Sequence, residues 1–245
     1  MAAILKRPGG ELASRPLHFF WAVDCSGSMY GEKIGTVNHA IQSTLPEMVD
    51  AAKNNPNAQL LVRTLKFSTG ATWVTPTPVN IEDFAWDDLD ANGVTDLGKA
   101  FEMLAAQLTI PPMTDRALPP VIVLLSDGQP TDDYEKSLDK LLHLPWGKKA
   151  VRIAISIGQD ADDDVLQQFT GNRELVLQAN NPQALVKMIK WASTAASLVS
   201  APASRPAEMN AVQAGNNTPS ATNAPLVLDM NNIPDPSSIG ANDVW

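Results

Sequence analysis

Two runs in this chain, Phe19-Phe20-Trp21-Ala22-Val23 and Val121-Ile122-Val123-Leu124-Leu125, are apolar at every position. A strand with one solvated face alternates apolar and polar residues, so unbroken runs of this length predict strands covered on both faces, as in a parallel sheet. Each run ends in a polar cluster with a carboxylate. The first passes into Asp24-Cys25-Ser26-Gly27-Ser28 and the second into Ser126-Asp127-Gly128.

Further strand-like runs are expected at Leu17 to Val23, Gln59 to Phe67, Val151 to Ile157 and Glu174 to Leu177. A short antiparallel edge strand is expected at Ala71 to Val74, after Ser68-Thr69-Gly70. Between them the 3.6-residue period predicts helices through Ile34, Val37, Ile41, Leu45 and Met48, through Leu97, Phe101, Leu104 and Leu108, and through Leu185, Met188, Ile189 and Ala192. Pro46 should kink or restart the first of these. Strands alternating with helices predict an α/β fold with a doubly wound, mainly parallel sheet. Ligands in such folds lie in loops beyond the carboxyl ends of strands, where Asp24 and Asp127 stand.

Asp24, Ser26 and Ser28 offer three oxygens within five residues, and Mg²⁺ or Mn²⁺ prefers about six oxygen ligands. Thr95, in Asn92-Gly93-Val94-Thr95-Asp96, and Asp127 are the candidate suppliers of the rest. Each residue also has a purely structural reading. Asp24 can cap a turn, Ser26 or Ser28 can cap the following helix, Thr95 can be an N-cap, and Asp127-Gly128 can be a hairpin turn. The hairpin is disfavoured because Gln129 to Asp133 does not alternate. The acidic group Asp160, Asp162, Asp163 and Asp164 precedes Val165, Leu166 and Phe169 and reads as charge at a helix N-terminus.

The formal charge of −9 argues against nucleic acid or an anionic membrane as the main partner. Cys25 is the only cysteine, which excludes an intramolecular disulfide and favours a reducing, cytoplasmic setting; alternation turns its thiol into the packed side as a structural group. His18, His39 and His143 fall in no metal-like spacing. No secretory core or membrane-span-length run is apparent. Residues 1–15 read as an N-terminal extension, 16–199 as the folded domain, and 200–245 as a Pro/Ala/Asn-rich linker or disordered tail. Two apolar islands in that tail, Leu226-Val227-Leu228-Asp229-Met230 and Ile239 to Trp245, are candidates for partner docking.

Asp-x-Ser-x-Ser, then a Thr, then an Asp after a strand resembles the metal-ion-dependent adhesion site (MIDAS) of von Willebrand factor A domains. The resemblance implies a Rossmann-like fold, Mg²⁺ (or Mn²⁺) held by Asp24, Ser26, Ser28, Thr95 and Asp127, and a protein partner whose acidic residue completes the coordination. Leu125-Ser126-Asp127-Gly128-Gln129-Pro130-Thr131-Asp132-Asp133 looks like the equivalent stretch of bacterial TerY-type proteins of the tellurium-resistance group. That family often has a Gly-Gly-Thr loop where this chain has Gly93-Val94-Thr95. The TerY resemblance implies a cytoplasmic stress, tellurium-resistance or phage-response system with a protein kinase and a metal-dependent protein phosphatase as partners. It also makes Thr95 and Ser28 candidate positions for phosphorylation. An alternative is an adaptor that presents substrates to an ATPase or chelatase-like machine. An enzyme is disfavoured: a haloacid-dehalogenase-like site needs a second acid two residues after its nucleophile, where Ser26 stands, and no Walker-type phosphate loop is present.

Overall fold

A computed structural model describes residues 14–55 and 57–200, with side chains through 193. Residues 1–13 of the expected N-terminal extension and the tail islands lie outside the described residues, while Arg15, expected in the extension, opens the first strand. Strand β1 (Arg15–Asp24) is followed by helix α1 (Glu32–Lys53), strands β2 (Ala58–Ser68), β3 (Gly70–Trp73) and β4 (Val79–Asn80), and helix α2 (Leu97–Gln107). Strand β5 (Val121–Ser126), helices α3 (Glu135–His143) and α4 (Pro145–Lys149), strand β6 (Val151–Ile157), helix α5 (Asp163–Thr170), strand β7 (Val176–Ala179) and helix α6 (Pro182–Ser200) complete the order.

The sheet runs β3-β2-β1-β5-β6-β7, and β4 also pairs with β2. Strands β2, β1, β5, β6 and β7 are mutually parallel, while β3 and β4 lie antiparallel to β2. The expected α/β sheet with its antiparallel edge strand is therefore present. The chain builds outward from β1 in one direction through β2 and β3, then in the other through β5, β6 and β7. The order thus reverses between β1 and β5, which is where a doubly wound sheet opens a crevice.

Alternation along each central strand feeds two cores. Phe19, Trp21, Val23, Val123, Leu125, Ile153 and Ile155 point to the face covered by α1 and α6, through Val37, Ile41, Leu185 and Ile189. Phe20, Ala22, Ile122, Leu124 and Ala154 point to the face covered by α2, α3, α4 and α5, through Phe101, Leu104, Leu141, Trp146 and Phe169. Both faces of β1 and β5 are dry, which is why neither run alternates in polarity.

Some of the chain departs from expectation. Helix α1 continues through Pro46 without restarting. Pro46 removes one backbone donor, and nearby the Ser43 and Thr44 hydroxyls both donate to the Ala40 carbonyl, at 2.9 and 2.7 Å. Strand β4 and helices α3 and α4 are additional elements. β4 has two residues and α4 five, too short for a period to register, and α3 buries only Ser137, Leu138 and Leu141.

The long connection from β4 to α2 carries no regular structure after the turn at 81–83, yet Ile81, Trp86, Leu89 and Ala91 are buried against the first core. One polar side chain pins it. Buried Asn38 of α1 accepts from the Trp86 indole N–H (3.1 Å) and the Leu89 N–H (3.0 Å), and its amide donates to the Leu89 carbonyl (2.9 Å). Asn38→Ala leaves those three groups without their partner and is expected to cost about 3 kcal/mol, since each orphaned buried group costs roughly 1–3 kcal/mol. Chemical denaturation of the two proteins measures it. A loss under about 1 kcal/mol would show that another group replaces the amide.

Candidate metal centre

Parallel pairing of β1 with β5 places Val23 opposite Leu125, so Asp24 and the pair Ser126-Asp127 leave the sheet side by side. Asp24 is fully buried, and every acceptor contact it makes is local to this edge. Its Oδ1 accepts the Ser26 N–H at 2.8 Å, and its Oδ2 accepts the Ser126 hydroxyl at 2.6 Å. Ser126 in turn accepts the Gly128 N–H at 2.9 Å, which shapes the loop holding Asp127.

The serines turn toward each other. Ser26 Oγ and Ser28 Oγ stand 3.0 Å apart across the 3₁₀ turn Gly27–Met29. Neither serves as a cap: α1 begins after Gly31, and Ser26 makes no side-chain capping bond. Nor does the Thr95 side chain hold the N-terminus of α2. The Asp132 carboxylate does so from the β5 loop, accepting the Gly98 and Lys99 N–H groups at 2.9 and 3.2 Å. The structural readings of Ser26, Ser28 and Thr95 are thus filled by other groups. Asp127 begins no hairpin, since 127–134 is loop before α3.

Backbone bonds tie the loops into one edge. The Cys25 N–H donates to the Phe67 carbonyl and the Asn92 N–H to the Cys25 carbonyl, both at 2.7 Å, and the Gly27 N–H donates to the Gly93 carbonyl at 3.0 Å. The Thr131 N–H donates to the Thr95 carbonyl (2.8 Å), and the Thr95 N–H returns to the Thr131 hydroxyl (3.1 Å). Asp96 links a fourth loop by accepting the Gly70 N–H at 2.7 Å. Two glycines are required by this crowding. Gly93 (φ 80°) has no room for a Cβ, which would sit 2.5 Å from Thr69 Oγ1, and at Gly128 (φ 70°) it would sit 2.5 Å from the Asp162 carbonyl.

The five sequence-derived residues therefore belong to three loops joined at one edge. Asp24, Ser26, Thr95 and Asp127 are buried, and Ser28 is exposed at the rim. Asp127 Oδ1 is buried with no hydrogen-bond partner. A buried carboxylate oxygen left bare beside a second carboxylate and converging hydroxyls fits a cation-binding donor set. Among the described residues no three His, Cys, Asp or Glu side chains form a metal cluster, and the side chains gathered here are two carboxylates with hydroxyls.

Sequence reasoning missed the supporting residues Ser126, Thr131, Asp132 and Asp96. For Ser126, Thr131 and Asp132 the signal was a polar run after an apolar strand with no returning strand behind it; Asp96 carried no such signal. The acidic group 160–164 behaves as expected: Asp162 caps α5 by accepting the Asp164 and Val165 N–H groups, and Asp163 accepts the Ser156 hydroxyl and the Gln178 amide.

Comparison with known proteins identifies the arrangement: the von Willebrand factor type A domain family matches residues 20–191. The chain belongs to that family. Solved structures share the fold at low identity. A von Willebrand factor type A protein from Catenulispora acidiphila is 16% identical (TM-score 0.53), over 75% of this chain and 43% of that one. An ArnB paralogue from Sulfolobus acidocaldarius is 19% identical (TM-score 0.54), over 71% and 44%. Proximal thread matrix protein 1 of the mussel byssus, solved with a zinc-occupied MIDAS motif, is 17% identical (TM-score 0.56), over 77% and 49%. This chain thus spans less than half the length of each. No curated protein matches it. Von Willebrand A domains are generally interaction modules.

Burial raises the Asp24 carboxyl to about 6, against hydrogen bonds from Ser126 and Ser26, and the neighbouring Asp127 charge adds to the rise. Cys25, packed in the first core, is pushed up to about 12 by burial and then by Asp24, so it is a thiol and not a reactive thiolate. Because the Asp24 pKa is higher folded than unfolded, the metal-free domain holds this proton more tightly when folded. The resulting stability is fully present below about pH 4 and is lost as pH rises through about 6. Asp24→Asn removes the buried charge but also one of the two acceptor oxygens that Ser26 and Ser126 use, so it is expected to stabilise the metal-free protein at pH 7 by less than the roughly 3 kcal/mol that the shift represents, while removing any stabilisation by added Mg²⁺. Thermal melts at pH 5 and 7, with Mg²⁺ and with chelator, check both signs. An Asn variant that melts earlier than wild type in chelator at pH 7 would contradict the argument.

Proposed function

We propose that this chain is a metal-ion-dependent protein-interaction module and not an enzyme. Asp24, Ser26 and Ser28, with Thr95 and Asp127, hold Mg²⁺ or Mn²⁺, and a carboxylate from a protein partner completes the coordination. The observation that carries this reading is the bare, buried Asp127 Oδ1 beside Asp24, whose own oxygens are taken by Ser26 and Ser126. The all-oxygen donor set favours hard divalent cations, and the zinc in the mussel protein's MIDAS shows that the motif admits that ion there. With two protein carboxylates the loaded site is close to neutral, so an incoming acid is still drawn to the ion. The bound ion supplies the attraction. The chain's part is to hold the hydroxyls and carboxylates in place through the bonded loops and to present Ser28 at the surface.

The biological setting we infer is that of TerY-type proteins: a bacterial cytoplasmic stress, tellurium-resistance or phage-response pathway with a protein kinase and a metal-dependent protein phosphatase. It rests on the resemblance of Leu125 to Asp133. No described helix is long and apolar enough to cross a membrane, which is compatible with that setting. If the kinase modifies this edge, Ser28 is the reachable hydroxyl, since Thr95 is only 4% exposed. The alternative is an adaptor presenting substrates to an ATPase or chelatase-like machine. Affinity capture with Mg²⁺ and with chelator separates the two by whether a kinase and phosphatase or an ATPase is retained.

Titration calorimetry is expected to show one principal Mg²⁺ or Mn²⁺ site that Asp24→Ala abolishes. Asp127→Ala should weaken binding less, because this second carboxylate acts partly through water. Equal heats from wild type and Asp24→Ala would overturn the assignment.

A further inference from the structure

Among the described residues the exposed large hydrophobic side chains are Tyr30, Val94 and Ile110. Ile110 lies past the far end of α2, but the other two meet at the metal edge. Gly27, between Ser26 and Ser28, donates its N–H to the Gly93 carbonyl at 3.0 Å and accepts the Tyr30 N–H at 3.2 Å. Val94 is therefore next in the chain both to Gly93, bonded to the serine turn, and to Thr95. Tyr30 is 79% exposed and Val94 46%, beside the exposed Ser28. Singly exposed apolar residues are ordinary, but two gathered around one glycine of the ion's own loop make an apolar rim.

The rest of the edge is acidic. Glu32, Asp160, Asp162 and Asp164 are exposed on the loops and helix starts around it. The Asp162 N–H donates to the Asp127 carbonyl at 2.7 Å and the Gln129 side-chain amide to the Asp160 carbonyl at 2.6 Å, so these acids stand beside the loop that carries Asp127. Of the nearby cations, Lys99 and Lys136 are paired with Glu102 and Asp133, and Lys33 and Lys66 leave the acids in excess. Such a collar repels a run of acids within a Debye length of about 8 Å, while an ion at its centre attracts one. The edge therefore selects a single carboxylate in an otherwise uncharged, apolar stretch.

We propose that Tyr30 and Val94 decide which acid this site accepts: the partner is an extended segment of another protein that gives one Asp or Glu to the ion and lays large apolar residues, two positions from that acid, on Tyr30 and Val94. The proposal rests on the metal-site reading above. In an extended segment residues two apart face the same side, about 7 Å from each other. Tyr30 stands two residues from Ser28 and Val94 one from Thr95, so each backbone lies within about that distance of a residue that holds the ion. Coordination alone does not tell one carboxylate from another. The rim adds affinity for apolar flanks, and the acidic collar turns away acid-rich segments.

The test uses the full chain and a displayed library of short peptides with a fixed central Asp, selected in Mn²⁺ and eluted with chelator. Selection is expected to enrich Leu, Ile, Phe or Met two positions from the Asp and to deplete further acids. Combining Tyr30→Ser with Val94→Ser is expected to weaken the selected peptide about tenfold while leaving the calorimetric Mn²⁺ heat of the chain unchanged, and Tyr30→Phe to keep the native affinity. Peptides indifferent to their flanks or rich in further acids, no selection by a chain that binds Mn²⁺, or a double variant that holds the peptide as tightly as the native chain would overturn the rim and leave the metal site standing. Peptides with apolar flanks that stay bound in chelator would show a surface that ignores the ion and overturn the proposal. A native chain that gives no Mn²⁺ heat would overturn the metal reading and this proposal with it.

Discussion

Everything at the metal edge depends on the parallel register of β1 against β5. One residue of slip would move Asp24 away from Ser126 and turn Phe19, Trp21 and Val23 from the α1–α6 core to the opposite face. The register is held because both faces of both strands are buried, so the energy that fixes the core also fixes the carboxylates. The 2.6 Å bond from Ser126 to Asp24 is the direct polar link between the two strand ends. Around it the other loops are arranged by backbone bonds.

That arrangement carries a cost. Asp24 is fully buried beside Asp127, and without a cation burial first and the Asp127 charge second raise the cost of ionising Asp24. A domain optimised for stability alone would have an amide or an apolar side chain at position 24. The two cores, with Trp21, Phe101 and Phe169 among their largest members, supply the stability that lets the edge keep an unfavourable pair of acids. On the proposed reading, binding and folding are linked through this one carboxyl, since a cation and the proton would compete for it.

Much of this was legible in the residues. The apolar runs gave the central strands, and Asp24, Ser26, Ser28, Thr95 and Asp127 could be picked out because together, in order, they resemble the adhesion-site pattern, although each alone could be read as a cap or a turn. What the sequence hid was non-local. That β1 and β5 are neighbours is a fact of topology, with about a hundred residues between them. Asp132 capping α2 from another loop could not be read from α2, where Thr95 and the N-cap residue Asp96 look sufficient but cap nothing with their side chains. Nothing in the spacing of Ile34, Val37 and Ile41 marks Asn38 as the amide that holds Trp86 and Leu89. Helix α4 and strand β4 were too short for any period to declare itself.

The loops of the metal edge are fastened to one another mainly through peptide groups: Gly27 to Gly93, Cys25 to Asn92, Thr95 to Thr131, and Asp162 to Asp127. A peptide group is supplied by any residue except proline on the donor side. The scaffold of the edge is therefore largely indifferent to which side chains decorate it, apart from the glycines at 93 and 128 and the oxygen donors themselves. Mutation can rewrite the exposed rim at Tyr30 or Val94 without rebuilding the frame beneath. Such a separation lets a lineage change what it recognises faster than how it folds, which suits a domain whose shape persists among structures sharing fewer than one residue in five.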